Sequence, residues 1–193
     1  MAKLILTPEN QIQRLNAIFN TVENLKGLPL AKLTQRVNPK TWSILEVVLH
    51  LNIAYGHYHK KFNEILPNLP SIEDEQTKFK CRAWQKFVIE GQRPKNNIRK
   101  WKMKTLKRFE PIIDMEKLND KGAEEVFDTF FELYGHLKKS ILTSRGKDVK
   151  KVKFASAIGP MVSFYLPESF EFLLCHLERH MVQISEILDE LEK

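Results

Sequence analysis

Hydrophobic residues recur at spacings of three and four along four long stretches of the chain, the period of an amphipathic helix. The first stretch opens at Thr7-Pro8, a hydroxyl N-cap with proline in the first turn. It continues through Ile12, Leu15, Phe19 and Val22, with Ile18 and Leu25 widening the apolar face. Gly27 stands where a C′ residue ends a helix, and Pro29 prevents continuation. Residues 30–40 are mixed and predict one short helix ending before Pro39. The second stretch starts at Ser43-Ile44-Leu45-Glu46, a capping box in which the Ser43 hydroxyl accepts from the Glu46 amide and the Glu46 carboxylate reaches back. Trp42 precedes it at the place of a hydrophobic staple. Ile44, Val48, Leu51, Tyr55, Tyr58, Phe62 and Ile65 then form an unbroken seam, closed by Pro67. Leu45, Val47, Leu49, Ile53 and Ala54 make the first half apolar almost all round, so this helix is packed on more than one side. The third stretch runs over 120–143, with Val126, Phe127, Phe130, Tyr134, Leu137 and Ile141 on one side. The fourth begins near Pro167-Glu168, and its seam is Phe170, Leu174, Leu177, Met181, Ile184, Leu188 and Leu191.

Helices of roughly 20–26 residues are about 30–39 Å long. They bury their stripes most economically against one another, which predicts an all-α four-helix bundle. Short links join antiparallel neighbours, whereas a long link lets helices run parallel. The connection of some fifty residues between the second and third helices therefore predicts up-down-down-up topology, with 68–119 as a crossover. Short helical pieces are expected in it, for example around Trp84–Phe87, and 144–166 forms a second long connection. A chain of 193 residues is one domain's length, so a single domain over 1–193 is expected.

Composition narrows the class. Apolar residues make up 42% and charged residues 28% of the chain, which suits a folded protein rather than a disordered one. Two cysteines, Cys81 and Cys175, make no disulfide framework and point to a reducing compartment. No apolar run reaches the ~18–20 residues that span a bilayer, and the first residues do not read as a signal peptide. A cytoplasmic location is expected.

The net charge of +7 is local in origin. Residues 76–109 hold twelve basic side chains against one acid, Glu90, which leaves the remainder of the chain net acidic. Such a segment attracts phosphates, anionic headgroups or small anionic cofactors, or is simply a solvated surface whose Lys stems cover apolar side chains. It matches no nucleic-acid-binding motif, so nucleic acid is not an expected partner.

Six histidines remain to be placed. His176 and His180 are four apart on the fourth helix and project from one face, where two imidazoles can reach a common divalent transition metal. His50 on the second helix is available as a third ligand across the interface. At ~100° per residue, His176 and His180 lie roughly 110° from the centre of their seam and His50 about 130° from its own. A cleft between the two helices suits both offsets. His-x3-His also turns up by chance in helices, and His50 gains force as a third ligand only from its helix context. His57, about 10 Å further along the helix, and Tyr55 are candidate groove residues. His59 and His136 are expected on partly exposed faces. Cys175 reads as a small buried hydrophobe, while Cys81, between Lys80 and Arg82, would have a depressed pKa if exposed.

Two segments carry a family resemblance. Thr41-Trp42-Ser43-Ile44-Leu45-Glu46-Val47-Val48-Leu49-His50-Leu51 resembles the second-helix signature of the DinB/YfiT-like superfamily. Glu168 to Ile184, with His176-x2-Arg179-His180-x2-Gln183-Ile184, resembles its last helix. Lys102 to Pro111 is similar to the crossover of one branch. The resemblance implies an up-down-down-up bundle, a metal site formed by His50, His176 and His180, and a homodimer. It also implies thiol-dependent chemistry of the kind seen in bacillithiol S-transferases and mycothiol-dependent maleylpyruvate isomerase.

Three neutral imidazoles leave a divalent ion with its full charge and an open position, the arrangement of catalytic sites. Zn, Ni and Fe all suit such ligands. The expected function is metal-dependent transfer of a low-molecular-weight thiol to a small-molecule electrophile. Gln183, one turn after His180, is placed to orient a ligand or a coordinating ring. A metal-dependent hydrolase is the alternative enzyme and would need a general acid or base. Glu46 is committed to the capping box, and the lack of a free carboxylate favours thiol chemistry. The remaining alternative is a non-catalytic helical module that binds through the basic 76–109 segment.

Overall fold

In the computed structural model, residues 3–99 and 104–193 are described. Lys100 and Lys102 of the basic segment lie outside them, as does the start of the crossover motif at Lys102. In chain order the elements are β1 (Ile5–Leu6), α1 (Pro8–Lys26), α2 (Leu30–Thr34), α3 (Ile44–Ile65), β2 (Phe79–Lys80), α4 (Ala83–Gln92), α5 (Asp120–Ser144), β3 (Phe154–Ser156), β4 (Gly159–Phe164) and α6 (Leu166–Leu191). Single 3-10 turns occupy Leu66–Asn68 and Lys107–Phe109.

The four long helices are those that the periodicity marks out, and their seams are the core. Leu15, Ile18, Val22 and Leu25 of α1, Ile44, Val48, Leu51, Tyr55 and Phe62 of α3, Phe127, Phe130, Tyr134 and Ile141 of α5, and Phe170, Leu174, Leu177 and Ile184 of α6 are all buried in one cluster. Each large side chain removed from water contributes about 1.5–3 kcal/mol. α3 packs on α5, α1 on both α5 and α6, and α3 also touches α6. The Tyr55 and Tyr134 rings meet at 4.9 Å, and the Tyr134 hydroxyl donates to the Leu51 carbonyl. Leu45 and Val47 are buried as well, as an all-round apolar helix requires.

Both histidine-bearing helices start on a buried glutamate that is tied to an arginine. At α3 the Ser43–Glu46 capping box forms, and Arg36 pairs with the same Glu46 carboxylate. At α6 the Glu168 carboxylate accepts from the Tyr165 amide and from Arg82. The Ser43–Glu46 box and the Glu168 carboxylate satisfy orphan backbone donors at the two helix starts, and each ion pair fixes that start to a neighbouring segment.

One local expectation is revised and the others gain detail. α1 stops at Lys26, but Gly27 has φ −78°, so its ability to adopt positive φ is not used. The short helix after Pro29 ends at Thr34, well before Pro39. Trp84–Phe87 belongs to a ten-residue helix, α4, which lies along α6. The connection over 144–166 contains the β3–β4 hairpin, where Phe154 faces Phe164 and Ala155 faces Ser163. β1 pairs antiparallel with β2, fastening the N-terminus to the crossover. These strands are two to six residues long, too short for alternation to stand out in the sequence.

Candidate metal centre

His50, His176 and His180 converge. Their ligand atoms lie within 4.8 Å of one another. His176 Nε2 is 3.4 Å from His50 Nε2 and 3.1 Å from His180 Nε2. Two nitrogens at ~2.05 Å from one tetrahedral zinc ion are about 3.3 Å apart, so these spacings fit a shared ion.

The other ring nitrogens are already engaged. His50 Nδ1 donates to the Phe109 carbonyl at 2.7 Å, and His180 Nδ1 donates to Gln183 Oε1 at 3.0 Å. With those protons on Nδ1, both Nε2 atoms present lone pairs toward His176, which has one N–H at most for two acceptors. A cation satisfies all three at once. Outer-shell partners of this type fix tautomer and ring direction at histidine metal sites. The Trp42 ring lies 4.9 Å from that of His50, and Phe172 lies parallel to His176.

Burial keeps the three rings neutral. His50 and His180 are 4% and 8% exposed, and His176 is half-buried. Burial lowers the His176 pKa to about 3, with His50 and Arg179 adding to the effect. Burial also pushes His180 well below the ordinary histidine value, helped by His176 and His50 and opposed by its bond to Gln183. His50 is lowered by burial, against the opposing effect of the Phe109 carbonyl. Neutral imidazole is the form that binds metal.

The rings open onto a cavity of about 520 Å³ between α3, α6 and the crossover. Trp42, Phe109 and Phe172 supply apolar wall; Lys40, Arg99, Lys104 and Arg179 supply positive charge; no carboxylate lines it among the described residues. Arg99 is paired with Glu186. Arg179 is different: it is 5% exposed, and its Nη1 is buried without a hydrogen-bond partner.

The other candidates are sorted by position. Gln183 lines the cavity and orients His180, as its spacing suggested. Tyr55 does not reach the groove; it is buried, and its hydroxyl meets His136 Nδ1 at 2.8 Å. His57 is exposed and packs edge-on against Phe109. His59 and His136 are half-buried and face each other at 4.2 Å. Cys81 is buried, and burial together with Glu168 pushes its thiol up to about 12, the reverse of the shift expected for an exposed position. Cys175 is buried with its thiol likewise raised. Trp42 serves as a wall beside His50. The Phe109 carbonyl has no side-chain signal in the sequence. Arg179 had one, three residues after His176 and next to His180.

Arg82, Arg93 and Arg99, three of the twelve basic side chains of the 76–109 segment, are paired with carboxylates within the fold. Arg82 binds Glu168, Arg93 binds Glu90 and Glu171, and Arg99 binds Glu186. Three of these four acids lie on α6, so these three arginines fasten the crossover to the histidine-bearing helix.

A bundle of four long helices with three imidazoles meeting at its side is the class of molecule that this fold and site define. Its fold is similar to that of YfiT from Bacillus subtilis, described as a probable metal-dependent hydrolase with an unusual four-helix bundle topology. The likeness covers 96% of this chain and 87% of that one at 13% identity, with a TM-score of 0.55. At that identity it is a likeness of fold, and it bears out the bundle that the two motif helices implied. No protein-family model matches the chain, and no curated protein does.

Proposed function

We propose that this protein is a metal-dependent enzyme, a single domain over 1–193 with an up-down-down-up bundle, whose His50, His176 and His180 hold a divalent Zn, Ni or Fe ion. The observation that carries this reading is the convergence of three Nε2 atoms whose rings are fixed from behind by Phe109 and Gln183. When bound, the ion lowers the pKa of a coordinated thiol or water and supplies a nucleophile at neutral pH.

The reaction is transfer of a low-molecular-weight thiol to a small-molecule electrophile. The S–H proton passes to solvent, the sulfur lone pair forms the new S–C bond, and the leaving group departs with the electron pair of the broken bond. The chain's own residues orient the site and shape the cavity. Trp42, Phe109 and Phe172 cover an apolar body, and the cationic wall favours anionic reactants. No carboxylate lining the cavity stands ready as a general base among the described residues, which suits a nucleophile that ionises on binding. Neither Cys81 nor Cys175 competes, because both thiols are buried and protonated. The enzyme works in the cytoplasm as a homodimer; no helix among the described residues is long and apolar enough to cross a membrane.

Hydrolysis is the second reading, favoured by the description of YfiT. One assay separates the two. The metal-loaded protein is given a chloro-dinitrobenzene electrophile with and without a small thiol, and separately an activated ester. Thiol conjugation that requires metal and disappears in His176→Ala supports transfer. Ester turnover independent of thiol supports the hydrolase. Neither activity under any metal contradicts both.

A further inference from the structure

The eight arginines of the chain make a natural series. Arg14, Arg36, Arg82, Arg93, Arg99 and Arg145 each pair with a carboxylate, and Arg108 donates to the Ala157 carbonyl. Arg179 has no such partner among the described residues, although it is among the most buried, and its Nη1 is unpartnered. Glu186 acts on it only through space, being bonded to Arg99. A buried guanidinium remains charged, and leaving it without a partner is costly. A fold retains such a group most readily where something outside the chain completes it.

The surroundings say what that is. Arg179 lines the same cavity as the three histidines, one residue from His180 and one turn from His176. Lys40, Lys104 and Arg99 share the wall, and no described carboxylate does. The field therefore draws anions inward, and the planar fork of a guanidinium matches an oxyanion. We propose that Arg179 is the substrate-binding residue for an oxyanion: it holds a carboxylate or phosphate of the reactant while the remainder of that molecule lies against Trp42 and Phe172 beside the histidines. The inference rests on the reading of this cavity as the reaction site, and it narrows the substrate class to small molecules with an apolar body and an anionic end.

The test is titration calorimetry with inorganic phosphate and, separately, succinate into metal-free protein at neutral pH and low salt, for wild type and Arg179→Met. At least one anion is expected to bind wild type saturably with one site, and about tenfold or more weaker to Arg179→Met; the arm that binds identifies the group. Arg179→Met is also expected to melt about 3 °C or more higher, since it removes an unpaired buried charge, and to bind zinc at least as tightly as wild type. Absence of saturable binding of both anions, equal binding by the variant, or a lower melting temperature in Arg179→Met overturns the proposal. Failure of wild type to bind zinc contradicts the metal centre instead and leaves the anion result readable, because that arm contains no metal.

Discussion

One helix, α6, carries two buried polar clusters, and they differ in whether the chain completes them. On one side Glu171 accepts from Arg14, Arg93 and Gln11, and Arg14 also binds Glu178. Every charge there faces an opposite charge, and the neighbouring cations keep Glu171 below the usual carboxylate range despite its burial. On the other side stand His176, Arg179 and His180, with no carboxylate bonded to them among the described residues. Three rings share more lone pairs than protons, and one guanidinium has an unpartnered nitrogen. The first cluster locks α6 to α1 and α4. On our proposal the second is completed from outside, by a cation at the rings and an anion at the arginine. An unsatisfied buried polar group calls for an explanation, and a bound ion or ligand is one.

The largest effect should come from the completed cluster. Glu171→Ala leaves Arg14 and Arg93 each short of a partner and should cost about 3–5 kcal/mol, read as a fall in thermal midpoint of roughly 2–4 °C for each kcal/mol. Its zinc affinity should be that of wild type. A variant that melts normally but loses zinc would erase the distinction between the two sides of α6.

His176→Ala should do the opposite. Zinc affinity is expected to fall about a hundredfold or more, roughly 2.7 kcal/mol, because the central ligand is gone. The metal-free variant should melt within a few degrees of metal-free wild type. Competition against a chelator of known affinity gives the first number and differential scanning fluorimetry the second.

The metal-free protein should lose stability in acid. An unfolded histidine takes up its proton near 6.5, whereas His176 resists protonation down to about 3. Between those values the unfolded chain binds more protons, so stability is unaffected above 6.5 and declines as the pH falls below it. The slope is about 1.4 kcal/mol per pH unit for each ring so suppressed, with His180 adding to His176. Urea midpoints between neutrality and mild acid measure it, and removal of His176 should flatten the curve. A midpoint independent of pH in that window would mean that the rings are not held neutral.

The smallest effect is at Gln183. Gln183→Ala frees the His180 ring to turn, and zinc affinity should fall about tenfold with no change in melting. An unaltered affinity would show that the bond to His180 Nδ1 does not set the ring's direction.

Much of this molecule was legible in the sequence because helix period is a strong signal. The seams of α1, α3, α5 and α6, the Ser43–Glu46 box and the Thr7 cap all follow from local chemistry. The three histidines were legible as a pair and a third by spacing and phase, and Gln183 by its place one turn on. What escaped depended on distant contacts. The Phe109 carbonyl is backbone and leaves no trace in composition. Tyr55 lies on the seam and not on the groove, and its hydroxyl turns to His136. Cys81 looked activated because its neighbours in sequence are cationic, yet in space burial and Glu168 dominate. The pairing of Arg82, Arg93 and Arg99 was hidden because their acidic partners, Glu168, Glu171 and Glu186, lie some 80 residues further along the chain.

The central claim is most directly tested by soaking crystals of the protein in zinc and collecting anomalous scattering at the zinc edge. The account predicts a single strong peak about 2.0–2.1 Å from Nε2 of His50, His176 and His180, with the Nδ1 bonds to Phe109 and Gln183 intact. No peak among the three rings, or a zinc ion held by fewer than three of them, would contradict it.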